Sequence, residues 1–141
     1  MKIIGFNTTR IHGIRAHEIP RSSINTDILF TNIEKERLDK LKDSEAIKTS
    51  FKFSIFFKDP DKKSENQNEV SFEGSLLLAL DKEESKEFLK AWKKNQIPPN
   101  LALPLYNFIL RRCSTKALIL QEDVNLPTHL QIPQLKRQAE Q

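Results

Sequence analysis

The sequence predicts an α+β domain in which a four-stranded antiparallel sheet precedes one short and one long helix. Stretches with a two-residue apolar period fall within residues 2–80, and stretches with a helical period fall within 82–125. A proline-bounded apolar tail follows at 126–141. Strands that come first and helices that come last are typical of the α+β class. The length of 141 residues suits a single domain.

Isoleucine and threonine indicate the first two strands. The first is predicted over residues 2–18 with a bend at Gly13, before Pro20 breaks it. The second is predicted from Ile24 to Ile33, where apolar residues and threonine recur with period two. The charged stretch 34–46 breaks this alternation, so we expect a solvated connection or a short helix there.

The third and fourth strands have the clearest alternation. From Ile47 to Phe57 every second residue is apolar or threonine, and the opposite face is polar apart from Phe56. The fourth strand alternates in the same way from Val70 to Leu80. A polar connection of about ten residues most simply makes the two strands an antiparallel pair. Leu77 and Ala79 make the end of the fourth strand apolar on both faces, so we expect both faces to be covered there.

Two helices follow the strands. Asp81 and Glu84 have the spacing of a capping box, which predicts a first helix that runs to about Gln96 with Trp92 on its apolar face. Pro104 is placed in the first turn of the second helix, where a missing N–H costs nothing. This helix is predicted over 105–124, before Pro127. Its apolar stripe consists of Leu105, Ile109, Cys113, Ala117, Leu120 and Val124.

The second helix carries more apolar surface than one sheet can cover. Tyr106, Phe108, Leu110 and Leu118 extend its stripe over more than half of the circumference. Because a single sheet covers only one side of a helix, we expect the excess to be buried by a second subunit or by a bound polypeptide. A plain obligate oligomer that binds no other protein is the alternative.

The sequence contains no recognisable catalytic or metal-binding pattern. His12, His17 and His129 fall in different predicted elements, and Cys113 lies on the apolar stripe. A Cys–His nucleophilic pair is one interpretation of these residues, and a buried structural cysteine is the favoured one. Cysteine and histidine do not have the spacing of a zinc site, and no glycine-rich phosphate loop is present. We therefore expect no enzymatic activity, no metal and no cofactor.

A basic helix face supports a second functional hypothesis, that of a basic binding protein associated with RNA or ribosomes. The net charge is +4, and four lysines recur every four residues along the first helix. Together with Arg111 and Arg112 this row could follow a phosphate backbone, with Trp92 and Tyr106 as stacking platforms. A solvated helix face explains the same pattern without a ligand. The lysines of the row are Lys82, Lys86, Lys90 and Lys94.

The composition indicates a cytoplasmic protein. The single cysteine excludes an internal disulfide and favours a reducing compartment. No run of 18 apolar residues could span a membrane, and polar residues interrupt the N-terminus before a signal-peptide core can form.

Three short motifs accompany this order of elements: Phe6 with Arg10-Ile11, Asn100-Leu101-Ala102-Leu103-Pro104, and Pro127-Thr128-His129-Leu130-Gln131-Ile132-Pro133. Together with the order of the elements, they resemble the SecB export chaperones. The closing Leu-Pro-x-His-Leu-x-Ile-Pro pattern is also similar to that of small archaeal SecB-like proteins.

The resemblance implies helices packed on one face of the sheet, assembly as a homodimer or homotetramer, and ATP-independent binding of unfolded polypeptides in apolar grooves. The family docks the translocase motor through acidic residues on its sheet, where this sequence has Lys48, Lys52 and Lys58, so we do not expect that contact. The residues that we expect to line the grooves are Phe51, Phe53, Trp92, Leu103, Tyr106, Leu126, Leu130 and Ile132.

Overall fold

Four strands and two helices form the part of the chain that the computed structural model describes, which comprises residues 1–16, 23–37, 44–58, 68–135 and 137. The elements are β1 (Lys2–Ile14), β2 (Ser23–Glu36), β3 (Glu45–Lys58), β4 (Glu69–Leu80), α1 (Lys82–Trp92) and α2 (Pro99–Asp123). The predicted α+β class and four-stranded antiparallel sheet are confirmed.

The sheet has the order β1-β4-β3-β2, and every neighbouring pair is antiparallel. The two central strands are therefore those with the clearest alternation, and β1 and β2 lie at the edges. The predicted polar connection between β3 and β4 falls on residues 59–67, which lie outside the described residues.

Both ends of the predicted charged connection at 34–46 belong to strands instead. β2 continues to Glu36 and β3 begins at Glu45, and the register pairs Glu34 with Lys48 and Glu36 with Ala46. An ion pair of 3.0 Å between Lys35 and Glu45 joins the ends of the two strands. The ladder thus extends the strands through residues whose local pattern is not strand-like. Residues 38–43 of this stretch, and residues 17 and 18 of the predicted first strand, lie outside the described chain.

The core lies between one face of the sheet and α2. Alternate side chains of β3 and β4 are buried against the helix, and Phe51, Phe53 and Phe72 are at most 2% exposed. From α2 the core receives a stripe in which every fourth residue is buried. The members of this stripe are Leu101, Leu105, Ile109, Cys113, Ala117 and Gln121. Gln121 takes the position that the sequence pattern assigned to Leu120, which is only half-buried.

Pro104 does not begin α2, contrary to the sequence prediction. The helix begins at Pro99, where a proline at the first helical position lacks only an N–H that would have no partner anyway. Pro104 lies inside the helix and cannot donate to the carbonyl of Asn100. Both residues are exposed, so water can satisfy that carbonyl.

The first helix begins as predicted and ends earlier. The Asp81 carboxylate accepts from the Glu84 N–H at 2.7 Å, and Glu84 accepts from the Asp81 N–H at 3.3 Å, which completes the predicted capping box. The helix ends at Trp92 and not at Gln96, because Asn95 adopts a left-handed conformation with φ of 56°.

Neither described helix covers the outer face of the sheet at the end of β4. Leu77 and Ala79 are half-buried there, and both described helices pack on the opposite face. The double cover expected at these two residues is therefore not supplied by α1 or α2. Neither helix in the described part of the chain combines the length and apolarity that crossing a bilayer requires.

Candidate functional site

The turn between α1 and α2 builds one wall of an open apolar groove. Asn95 donates its N–H to the Trp92 carbonyl at 2.8 Å, and Gln96 donates to the Ala91 carbonyl at 3.0 Å. These bonds reverse the chain immediately after Trp92, and the left-handed geometry at Asn95 suits an asparagine. Ile97 and buried Pro98 then lead rigidly into α2.

The groove has a volume of about 520 Å³ and lies between this turn, the start of α2 and strand β2. Aromatic and aliphatic side chains form most of its lining. Phe30 of β2 and Tyr106 of α2 lie at one side with their ring centroids 5.3 Å apart. Tyr106 is 38% exposed, so its ring remains accessible from the groove. The principal apolar residues of this groove, called the β2 groove below, are Ile28, Phe30, Trp92, Ile97, Pro98 and Tyr106.

An edge strand runs along the β2 groove. Among the described residues β3 is the single strand neighbour of β2, so the N–H and C=O groups on the other side of β2 have no ladder partner. The register is regular from Ser23 to Phe30, before a bulge between Phe30 and Asn32. An extended chain laid along this part of β2 would direct alternate side chains towards the groove.

Two of the eight predicted groove residues line the β2 groove. Trp92 and Tyr106 come from different helices and are brought together there. Leu103 is 66% exposed and lies next to Ala102, which lines the groove, without being part of the lining itself. The residues that the prediction missed are Ile28, Phe30, Ile97 and Pro98. The alternation in β2 placed Ile28 and Phe30 on one face, and it contained no information on which strand would lie at the edge.

Three predicted groove residues belong to the core instead. Phe51 is 1% exposed, Phe53 is fully buried and Leu126 is 5% exposed. Phe51 stacks on Phe6 at 5.8 Å, and Phe53 packs against Phe72 at 6.3 Å. They belong to the hydrophobic core and offer no surface to a ligand in this conformation.

The last two predicted residues, Leu130 and Ile132, lie in the extended tail. They are 47% and 45% exposed and border a shallow space of about 810 Å³ that residues 128–134 enclose. This space is separate in its lining from the β2 groove. The prediction thus grouped residues from a groove, the core and a tail.

The tail is fixed to α2 by one buried glutamine. The Gln121 Oε1 accepts from the His129 backbone N–H at 3.3 Å and lies 3.0 Å from His129 Nδ1, which donates to it in the tautomer that carries the hydrogen there. The Leu126 N–H donates to the Gln121 carbonyl at 2.8 Å. Burial lowers the pKa of His129, because the charged imidazolium is poorly solvated there.

Cys113 has no feature of a nucleophile. The side chain is 1% exposed, and burial raises the pKa of its thiol to about 11. The thiol is therefore protonated at neutral pH, and His129 is bound to Gln121. Among the described residues, His, Cys, Asp and Glu do not converge in any group of three that could hold a metal ion.

The four lysines of the predicted basic row are exposed; Lys82, Lys86 and Lys90 lie on α1, and Lys94 lies in the turn after it. None of them forms an ion pair with an acidic residue of the described chain. Arg112, by contrast, packs over the Phe6 and Phe108 rings at 5.9 and 5.4 Å from their centroids. The lysines of α1 and Arg112 thus lie on different helices.

Comparison of the chain with protein-family models, with curated proteins and with solved structures gave no match. The functional argument therefore depends on the geometry of the fold and on the motifs of the sequence.

Proposed function

We propose that this protein is an ATP-independent, SecB-like holdase that binds unfolded or extended polypeptides in the β2 groove. The observation that carries the proposal is the position of an accessible aromatic groove directly beside a strand that has only one strand neighbour among the described residues. An unfolded segment offers both things that such a site can bind: a free backbone for the strand edge and apolar side chains for the groove.

This mode of binding selects by apolar area and by extended shape, with little readout of sequence. Each square ångström of apolar surface that leaves water contributes about 25 cal/mol, so a few buried side chains suffice for reversible binding. The site is preorganised by the two prolines Pro98 and Pro99 and by the packed Phe30–Tyr106 pair. Preorganisation lowers the entropy cost of binding. The proposed role requires no nucleotide, metal or catalytic residue.

We place this activity in the cytoplasm, where a single buried thiol stays reduced, and in a homo-oligomer, a dimer or a tetramer, as the resemblance to SecB implies.

The test is suppression of aggregation of a chemically denatured test protein. The wild-type chain is expected to keep the test protein in solution without ATP, and Tyr106→Asp is expected to lose this effect. Ile119→Asp is the matched control, since Ile119 is 62% exposed on the same helix and does not line the groove. Equal suppression by the wild type and Tyr106→Asp would exclude the β2 groove as the site.

Binding of RNA through the lysine row is the second candidate, because all four lysines are exposed and free of ion pairs with the described acidic residues. It predicts RNA affinity that falls steeply with salt and is lost in Lys86→Glu/Lys90→Glu. The holdase activity, in contrast, should persist in this variant and at high salt.

A further inference from the structure

We propose that the tail segment 130–135 of one copy docks in the β2 groove of a second copy and competes there with unfolded polypeptides. This inference rests on the proposed function, because it assigns a ligand and a form of regulation to the same groove. It commits to the tail of another copy as the occupant, and not to the tail of the same chain.

The chemistry of the tail matches that of the groove. Residues 131–135 have no regular secondary structure, and Leu130 and Ile132 are two residues apart and about half exposed. In an extended chain such side chains point to the same face, which is the arrangement that a strand on the β2 edge needs. Leu135 is fully exposed as well. Pro133, which has no N–H, is compatible with the outer edge of an added strand.

Among the described residues, the hydrogen bonds of the tail end at Leu130 and none involves residues 131–135. The Leu130 carbonyl accepts from the Thr128 hydroxyl at 2.9 Å. Upstream, Leu126 is buried and His129 is held by Gln121. The tail is thus fixed at its base and carries apolar side chains beyond that base into solvent.

In the described conformation the tail lies away from the groove of its own chain. Gln121, which holds the base of the tail, and Tyr106 are fifteen residues apart on one continuous helix, which corresponds to about 22 Å. The residues that line the β2 groove and those that enclose the space beside the tail have no member in common. With the tail held in this position, the groove stays accessible to the tail of a second copy.

Two copies could exchange tails reciprocally, since each has one tail and one groove. Such an exchange forms a closed, symmetric pair. Unfolded polypeptide would then have to displace the tail, so the occupancy of the groove by the tail sets how much of the protein is available for binding.

The experiment uses Trp92, the single tryptophan of the chain, which lines the groove and is half-buried. Its fluorescence emission is measured on the full chain from submicromolar to submillimolar concentration. The wild type is expected to show a shift to shorter wavelength as concentration rises, reversed on dilution. Leu130→Asp/Ile132→Asp is expected to keep the low-concentration emission throughout, and the control Ile119→Asp to behave as the wild type.

A peptide with the sequence of residues 128–135, added to Leu130→Asp/Ile132→Asp, should restore the shift, and a peptide with the same two aspartates should not. Wild-type emission that does not change with concentration would overturn the proposal, whether or not the tail variant differs from it. Suppression of aggregation by the tail variant is scored separately. If the Trp92 shift occurs but aggregation is not suppressed, then docking of the tail stands and the holdase function fails.

Discussion

The rings of Phe30 and Tyr106 lie 5.3 Å apart at an angle of 55° and join the edge strand β2 to the start of α2. This contact closes one side of the β2 groove while Tyr106 remains 38% exposed. One aromatic pair therefore stabilises the fold and forms part of the proposed binding surface.

The Phe30–Tyr106 pair should be measurable as a coupling free energy. Tilted aromatic pairs contribute about 0.5–1.5 kcal/mol beyond the area that they bury, so a double-mutant cycle of Phe30→Leu and Tyr106→Leu should give a coupling of that size in urea unfolding. Phe30→Leu combined with Ile119→Ala is the control and should be additive. A coupling near zero for the aromatic pair would mean that the rings do not pack in solution.

Gly74 is expected to tolerate no side chain. A Cβ there would overlap the backbone carbonyl oxygen of Asn7 in β1 and would lie 3.1 Å from the Phe51 ring. Since backbone cannot move aside like a flexible side chain, Gly74→Ala should lower the free energy of unfolding by about 1–3 kcal/mol. Gly13→Ala is the matched control, because the nearest atoms belong to the flexible Leu120 side chain. Equal losses in both variants would contradict the pairing of β1 with β4 in this register.

Acid should weaken the attachment of the tail. Burial lowers the pKa of His129 in the folded chain below its ordinary value of about 6.5, so the unfolded chain binds a proton first as the pH falls. The stability contributed by neutral His129 is present above that value and is lost as the pH falls through the folded pKa. His129→Gln removes the titration and keeps a side-chain donor for Gln121. Wild-type stability should therefore fall more than that of His129→Gln between neutral and mildly acidic pH, and a parallel decline would contradict the burial of His129.

Cys113 should be inert to thiol reagents in the folded protein. Its thiol is 1% exposed, with a pKa raised to about 11 by burial, so both access and thiolate are lacking. Labelling is expected only at the rate of unfolding. Thr115→Cys, on the exposed side of the same helix, provides the control and should label at once. Fast labelling of the wild type would show that α2 separates readily from the sheet.

The local periodicity of the sequence was sufficient to predict the central part of the fold. The alternation in β3 and β4 identified the buried face of each strand, and the spacing of Leu105, Ile109 and Cys113 identified the buried stripe of α2. Both patterns arise because burial on one face is imposed repeatedly along one element. The fourfold spacing continues to Gln121, whose amide is needed to bind the tail, and a search for apolar residues could not find it.

The β2 groove could not be predicted from local periodicity. Its walls come from β2, α1 and α2, and its edge strand is defined by a pairing order that brings β1 next to β4. Alternation in β3 likewise indicated that Phe51 and Phe53 share a face, but it did not indicate that a helix covers them. The identity of the edge strand and the cover over a strand face depend on contacts between elements that are distant in sequence, and no single stretch of sequence determines these contacts.

Hydrogen exchange of the full chain with and without a permanently unfolded polypeptide tests the proposed binding mode most directly. Binding along the β2 edge predicts added protection of amides between Ile24 and Phe30, together with a change in the signal of the Trp92 indole N–H. The edge strand β1 provides the internal control and should remain unchanged. Protection confined to α1 around Lys86 and Lys90, or to β1, would contradict binding in the β2 groove.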